Sequence, residues 1–399
     1  MQPIRQRVTV DFAYDVHFTE QLFHPDNPLL AHTIHRPDEP GSKKAVAVID
    51  DGLIAHWPDL LDKLDGYARV HSEVMTWAAE PVVVPGGEAA KNDPALVDRI
   101  HRTVYEAHLD RHAYVLAIGG GAVLDLAGYA AATAHRGIRL IRVPTTALAP
   151  NDAGVGVKKG INAVGTKNFL GTFAPPTAVL NDTAFLQTLD DRDWRAGIAE
   201  AIKVALIKDV DFFAQLEQVA AGLAPSTRDL AAMEAVNERC AELHLEHIAA
   251  SGDPFEMGSS RPLDFGHWAA HKLEELTGYA LRHGEAVAIG IALDCVYAHL
   301  DGRLDEMSLQ AILDLMDTLG FELYVPELDA HLDEPDHPRC LFQGLDAFRE
   351  HLGGELTIML IDAIGHGVDV HAVDRDRYRD AVRYLRSRHE RTHRPEQVG

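Results

Sequence analysis

Cysteine is scarce in this chain. Three residues, Cys240, Cys295 and Cys340, lie far apart and are odd in number, which supports neither a disulfide framework nor a CxxC zinc site. A reducing cytoplasm is the expected setting. Positive charge is also short, with 37 Lys and Arg against 61 Asp and Glu for a formal charge of -24. Phosphate backbones and anionic bilayers demand clustered cations, so nucleic acid and membrane are not expected as partners. Any anionic ligand has to be held locally. Long apolar runs are missing too. Nowhere do about 18 apolar residues follow one another, and the opening MQPIRQRVTVDFAYDVHF has scattered charges and no apolar h-region. Neither a membrane span nor an export signal is expected.

Apolar material is otherwise ample. The 399 residues are 46% hydrophobic and 25% charged, enough for two domains with cores of their own. In the first half, KKAVAVIDD, PVVVP, YVLAIGGG and RLIRVPTT alternate with helical stretches, the pattern of a parallel sheet with crossover helices. After about residue 185 the strands largely vanish. DRDWRAGIAEAIKVALIKD, TRDLAAMEAVNERCAELHLEHIAA and GEAVAIGIALDCVYAHL carry helical patterning. The expectation is an open α/β nucleotide-binding domain over residues 1–184 and an all-helical metal- and substrate-binding domain over 185–399. The arginine-rich tail from Asp374 reads as a solvated terminal helix with a frayed end.

Four stretches carry chemistry. In IGGGAVLDLAGYAAAT, Gly119, Gly120 and Gly121 close a strand just as a helix begins. Such a turn lets backbone N–H groups approach a pyrophosphate at a helix N-terminus. An earlier strand ends in Asp50 and Asp51, placed to accept from a ribose hydroxyl, and PGGEAAK adds Glu88 and Lys91. Together these favour a dinucleotide over a bare turn. The second stretch, residues 143–176, is rich in Gly, Pro, Asn and Thr and carries Asp152, Lys158, Lys159, Lys167 and Asn168. It reads as a long ordered loop whose lysines hold phosphate. A solvated lysine cluster is the plain alternative.

In RAGIAEAIKVALI, Glu200 and Lys203 stand one turn apart among apolar neighbours, so both are expected to be partly buried, where a carboxylate stays ionised only if paired or metal-bound. A structural ion pair would satisfy them equally. The fourth stretch, LDFGHWAAHKLEELTGYALRH, holds His267, His271 and His283. With Glu200 they offer imidazoles and one carboxylate, a set suited to Zn²⁺ or a similar divalent ion. His267, His283 and Glu200 would be the ligands. His271, one turn beyond His267, would face the same cavity as an acid/base or hydrogen-bonding group.

The order GGGAVLD, PTTALAPNDAGVGVKKGIN, GTKNFLGTF, GIAEAIK, FGHWAAH and RHGEAVAIG resembles the dehydroquinate synthase-like sugar phosphate cyclases. Those enzymes show, in the same order, a GGG turn, PTT, an acidic residue before a VGGKTGIN-like loop, GKN, an AEVIK-like helix, NxGHTxxHA and HGE. The match runs from about residue 45 to 300. The resemblance implies a two-domain fold with NAD⁺ and a divalent metal, usually zinc, and a homodimer. It assigns metal ligation to Glu200, His267 and His283. Asp50, Glu88, Lys91, Gly119, Gly120, Gly121, Asp125, Thr145 and Thr146 then look like cofactor contacts. Asp152, Lys158, Lys167, Asn168, Lys203 and His271 match substrate-binding and catalytic positions, and Arg136 matches an arginine that reaches a neighbouring subunit's site.

The resemblance also implies a reaction. A seven-carbon sugar phosphate is oxidised transiently by NAD⁺, loses phosphate, recovers its hydride and closes to a carbocycle. A polyol or glycerol dehydrogenase dependent on metal and NAD is the alternative. The departures bear on substrate. Asp264 stands where the family shows Asn, Arg261 is displaced by about one position from a family arginine, and Lys159 replaces a usual Thr. Where lysines are expected, the chain has His244, Glu246 and His247, and His351 near the C-terminal one. Losing these lysines puts a 2-keto acid substrate in doubt and favours a neutral ketose phosphate. The spelling VGVKKGIN points to a divergent branch, similar to the dehydroquinate synthase-like proteins of Ebo-type gene clusters.

Overall fold

The computed structural model describes residues 3–164, 166–250, 262–351 and 356–392, apart from the side chains of Ala250 and His351. The chain separates into two units, Met1–Thr145 with Gly156–Ala184, and Thr146–Val155 with Phe185–Gly399. Residues 146–155, read from sequence as part of the α/β half, therefore cluster with the second unit.

In the first unit the strands are β1 (Asp15–Thr19), β2 (Lys43–Asp50), β3 (Met75–Trp77), β4 (Val82–Val84), β5 (Tyr114–Gly119), β6 (Arg139–Pro144), β7 (Lys158–Ala163), β8 (Thr166–Phe173) and β9 (Ala178–Asp182). The helices are α1 (Leu29–Ile34), α2 (Asp51–His56), α3 (Leu60–Val70), α4 (Pro94–Glu106) and α5 (Gly121–Thr133). A seven-stranded sheet runs in the order β1-β9-β6-β5-β2-β3, with β4 also on β2. Its pairings are all parallel. Val46, Val48, Val115, Leu116 and Ile118 are fully buried, as expected of central parallel strands covered on both faces. Register sets Asp50 beside Val84 and Gly119 beside Pro144. The carboxyl ends of β2, β4, β5 and β6 thus share one edge, where open α/β sheets bind ligands.

The second unit holds α6 (Asp191–Lys208), α7 (Val210–Leu223), α8 (Leu230–Ala250), α9 (His267–Leu276), α10 (His283–Leu300), α11 (Glu306–Thr318), α12 (Gln343–His351), β10 (Ile358–Ala363), β11 (His366–Val370) and α13 (Arg375–Thr392). From Gly197 to Ile207 every residue of α6 is buried, as is nearly all of α10. A helix apolar on all sides belongs inside a bundle. No helix among the described residues is long and apolar enough to cross a membrane.

Three sequence expectations change. Residues 158–173 are not loop but an antiparallel hairpin, β7 on β8, pairing Lys158 with Phe173 and Ile161 with Leu170. Its glycines and polar residues mask the alternation that marks a strand. The helical half contains the β10–β11 hairpin. The terminal helix α13 is not merely solvated, since Tyr378, Ala381, Val382 and Leu385 are buried. Those four are spaced i, i+3, i+4, i+7, an apolar stripe hidden among arginines.

Candidate active site

The first unit builds a glycine turn at the sheet edge. β5 ends at Gly119, Gly120 is the N-cap of α5 without a side-chain cap bond, and α5 starts at Gly121. No N-cap side chain takes up the first N–H groups of this 13-residue helix, an arrangement that suits an anion. A Cβ on Gly119 would lie 2.9 Å from Val123 Cβ and 3.1 Å from Asp50 Cβ, so this backbone is crowded too tightly for any side chain. Asp50 Oδ1 accepts from Gly52 N–H at 2.9 Å, and burial pushes its carboxyl up. Thr145 N–H donates to Gly119 O at 3.1 Å. Thr146, assigned to the second unit, accepts from Ala149 N–H at 3.3 Å.

Lys91 gathers several of the predicted residues. It is buried, and its Nζ lies 2.9 Å from Asp125 and 3.9 Å from Glu88 and donates to Asn168 Oδ1. Asn162 joins them, donating to Glu88 at 3.1 Å and accepting from Asn168 N–H at 2.8 Å. Sequence reading placed Asn168 with the substrate residues and Lys91 with the cofactor; the structure puts the two in contact. Lys158 is exposed and Lys167 half-buried. Lys159 goes the other way. It is buried with its stem against Gly128, so strand alternation removes it from the phosphate-holding set to which sequence assigned it. Arg136 is exposed on a short turn at φ 64°.

The second unit brings Glu200, His267 and His283 together, one ligand atom from each within 4.8 Å of the others. Glu200 Oε1 lies 3.7 Å from His267 Nε2 and 3.7 Å from His283 Nε2. It accepts no hydrogen bond among the described residues although Glu200 is fully buried. Ligand atoms on a tetrahedral ion with bonds of about 2.0–2.2 Å stand about 3.4 Å apart, so the spacing fits. His267 Nδ1 is 3.0 Å from Phe265 O. An N–H there leaves Nε2 with its lone pair toward Glu200. Burial, with Lys203, His283 and His271, holds His267 well below the usual imidazole range, the neutral form a metal ligand needs. His271 is exposed beside the pair, its ring 5.5 Å from His267 and 6.0 Å from His283.

Lys203 contacts Glu200 Oε2 one turn away, and both are buried. Burial works to depress the lysine, but Glu200 and then Asp152 outweigh it and hold the ammonium above its usual range. Burial pushes the Glu200 carboxyl up against the pull of Lys203. Asp264 adds to the negative field on Lys203. Asp152, Asp264 and Glu200 therefore surround one cation.

Several positioning groups escaped sequence reading. Asn151 Nδ2 donates to Ala147 O, Gly197 O and Asn237 Oδ1 at 3.2, 3.0 and 2.9 Å, tying the Asp152 segment to α6 and α8. Arg282, just before His283, grips Asp190 at the start of α6 through two bonds of 2.7 and 2.9 Å. A Cβ on Gly284 would stand 2.5 Å from Ala196 Cα, so only glycine lets α10 approach α6 this closely. Glu274 Oε2 is 3.2 Å from His283 Nδ1. Of the replacement candidates, His244 is buried on α8, and His247 is 2.9 Å from Lys208 Nζ. Arg261 and the His351 side chain lie outside the described residues.

Residues 81–196 match the 3-dehydroquinate synthase N-terminal family and residues 197–334 its C-terminal counterpart. The chain belongs to the 3-dehydroquinate synthase family. Within it, the chain is 33% identical over 361 residues to 2-epi-5-epi-valiolone synthase of Streptomyces glaucescens, covering 90% of this chain and 87% of that one. It is 36% identical over 296 residues to 3-dehydroquinate synthase of Nitrosococcus oceani, covering 74% and 79%. The solved 2-epi-5-epi-valiolone synthase of Streptomyces hygroscopicus subsp. jinggangensis 5008, with NAD⁺ and Zn²⁺ bound, matches with a TM-score of 0.82 at 31% identity over 96% and 99%. Membership of the 3-dehydroquinate synthase family makes this chain an enzyme, a sugar phosphate cyclase of the carbon–oxygen lyase class. The dehydrogenase alternative is the less supported reading.

Proposed function

We propose that the enzyme converts a carboxylate-free seven-carbon ketose phosphate, such as a sedoheptulose phosphate, into a carbocycle with loss of inorganic phosphate, using NAD⁺ and a zinc-like divalent ion. The observation that carries the substrate assignment is the acidic field of Asp152, Asp264 and Glu200 around the buried ammonium of Lys203. A substrate carboxylate facing Asp264, with His244, Glu246 and His247 where lysines are expected, meets repulsion instead of a charge-assisted hydrogen bond, a difference of several kcal/mol in a shielded site. Its relatives include a 2-epi-5-epi-valiolone synthase as well as 3-dehydroquinate synthases.

The residues fit both groups. Two imidazoles, that of His267 kept neutral by burial, and a carboxylate oxygen that accepts no hydrogen bond among the described residues suit a borderline divalent cation. The uncapped start of α5, crowded to exclude side chains, suits a pyrophosphate. When bound, NAD⁺ supplies removal and return of a hydride and the ion supplies Lewis-acid polarisation of adjacent hydroxyls. The protein's own groups do the rest. Lys203 orients the same hydroxyls as a permanent donor, and its charge steadies negative charge developing on their oxygens. His271, exposed beside the triad, donates to or accepts from a substrate oxygen. Lys158, Lys167 and Asn168 hold the phosphate through hydrogen bonds, those from the lysines charge-assisted. Glu200, and then Asp152, keep Lys203 protonated.

In this reading Asp50, Glu88, Lys91, Asp125, Thr145 and Thr146 serve the cofactor. Arg136 reaches the partner's site in a homodimer, which its exposure on a tight turn favours. The free, buried Cys240, Cys295 and Cys340 accord with a reducing cytoplasm. The test is the ratio of kcat/KM for a sedoheptulose phosphate and for the 2-keto acid used for dehydroquinate. Preference for the ketose is expected. Preference for the keto acid would mean that a carboxylate site has been rebuilt from other donors.

A further inference from the structure

Asp294 is a fully buried carboxylate in the apolar middle of α10. Its Oδ1 accepts from Trp268 Nε1–H at 3.0 Å and from the Tyr378 hydroxyl at 2.8 Å. Its Oδ2 accepts from the Gly266 N–H at 3.2 Å. Gly266 immediately precedes His267, and Trp268 immediately follows it. An isolated carboxylate in such surroundings costs several kcal/mol, and an apolar side chain of equal volume would fill the space without needing three donors. What the carboxylate adds is direction.

The Gly266 peptide is confined from other sides as well. Gly266 has φ 77°, and a Cβ there would meet Ile291 N at 2.7 Å. A Cβ on Gly290 would stand 2.0 Å from Gly266 O. The two peptides flanking Gly266 are thus both held on α10, the Phe265–Gly266 one through its N–H on Asp294 and the Gly266–His267 one through its carbonyl against Gly290, while the same helix begins with His283. One rigid helix therefore carries one imidazole directly and fixes the origin of the other. The two rings stand 5.4 Å apart.

We propose that Asp294 is a positioning residue for the metal centre, setting the His267-to-His283 spacing through the Gly266 N–H. The proposal rests on the metal reading above. Asp294→Asn probes it selectively: Trp268 and Tyr378 keep the amide oxygen where Oδ1 was, so the Nδ2 hydrogens confront the Gly266 N–H. Tyr378→Phe removes a donor from Oδ1 and leaves the Gly266 bond intact.

The experiment titrates metal-stripped protein with Zn²⁺ against a chromophoric chelator and records the visible spectrum of the Co²⁺-substituted form. Asp294→Asn should bind Zn²⁺ about 10–100-fold more weakly and change the Co²⁺ bands, whereas Tyr378→Phe should stay within about threefold of wild type with unchanged bands. Gly290→Ala, which pushes the Gly266 carbonyl from the opposite side, should weaken binding likewise and serves where Asp294→Asn does not fold. Wild-type affinity and spectrum in folded Asp294→Asn or folded Gly290→Ala, or equal losses in Asp294→Asn and Tyr378→Phe, would overturn the proposal. His267→Ala separates the two readings: if it too binds Zn²⁺ as wild type does, the metal site itself has been misassigned.

Discussion

Glu274 holds the Nδ1 edge of His283 at 3.2 Å while the Nε2 edge of the same ring faces Glu200. A carboxylate on the far nitrogen fixes tautomer and ring direction and raises the basicity of the ligating one. Glu274→Gln should therefore leave the fold intact and weaken Zn²⁺ binding about 10–100-fold. Chelator competition on the purified variant checks this. An unchanged dissociation constant would make Glu274 a bystander.

Lys203 and Glu200 are buried together, so removing one leaves the other uncompensated. Lys203→Met should cost the metal-free protein about 3–5 kcal/mol, read by urea denaturation. Saturating Zn²⁺ should recover part of the loss, because the ion replaces the missing positive charge and binds only the folded state. Turnover should stay abolished even with metal restored.

Lys158→Ala should raise KM for the sugar phosphate about 10–100-fold, the worth of one hydrogen bond to a charged group, and leave the NAD⁺ dissociation constant unchanged. Equal effects on both ligands would move Lys158 out of the phosphate site.

Lys159 is buried, its Nζ has no hydrogen-bond partner among the described residues, and burial, with Arg142 adding, holds it well below the usual lysine range. A lysine whose value is lowered on folding binds its proton less well in the folded state than in the unfolded chain, which costs stability. That cost is absent above the unfolded value, about 10.4, and grows as pH falls below it. Lys159→Met should stabilise the protein at pH 7 by about 1–3 kcal/mol, the penalty of one buried donor left without a partner. The advantage should shrink as pH is raised toward 10, which melting curves of both proteins across that range would reveal.

The glycine turn and the parallel sheet are legible because local spacing encodes them, a run of glycines after a strand; the i, i+4 pair His267 and His271 marks the metal region, but Glu200 and His283 lie far from His267 in sequence and join it through the order of motifs shared with the cyclases. Glu274 lies in HKLEE, where alternating charge looks like a solvated face. Asp294 stands out as a lone acid in GIALDCVYA, yet its partner Tyr378 is 84 residues away and no local pattern connects them. Lys158 and Lys159 read alike as loop lysines. Only the strand pairing of β7 shows that they point to opposite sides.

The most direct measurement of the central claim follows phosphate and NADH together in one reaction with a sedoheptulose phosphate, NAD⁺ and Zn²⁺. If oxidation and reduction are paired within each turnover, one phosphate should appear for each sugar consumed, far in excess of the NAD⁺ supplied, with no lasting rise at the NADH absorbance band. NADH accumulating in step with product, without phosphate release, would contradict the cyclase account.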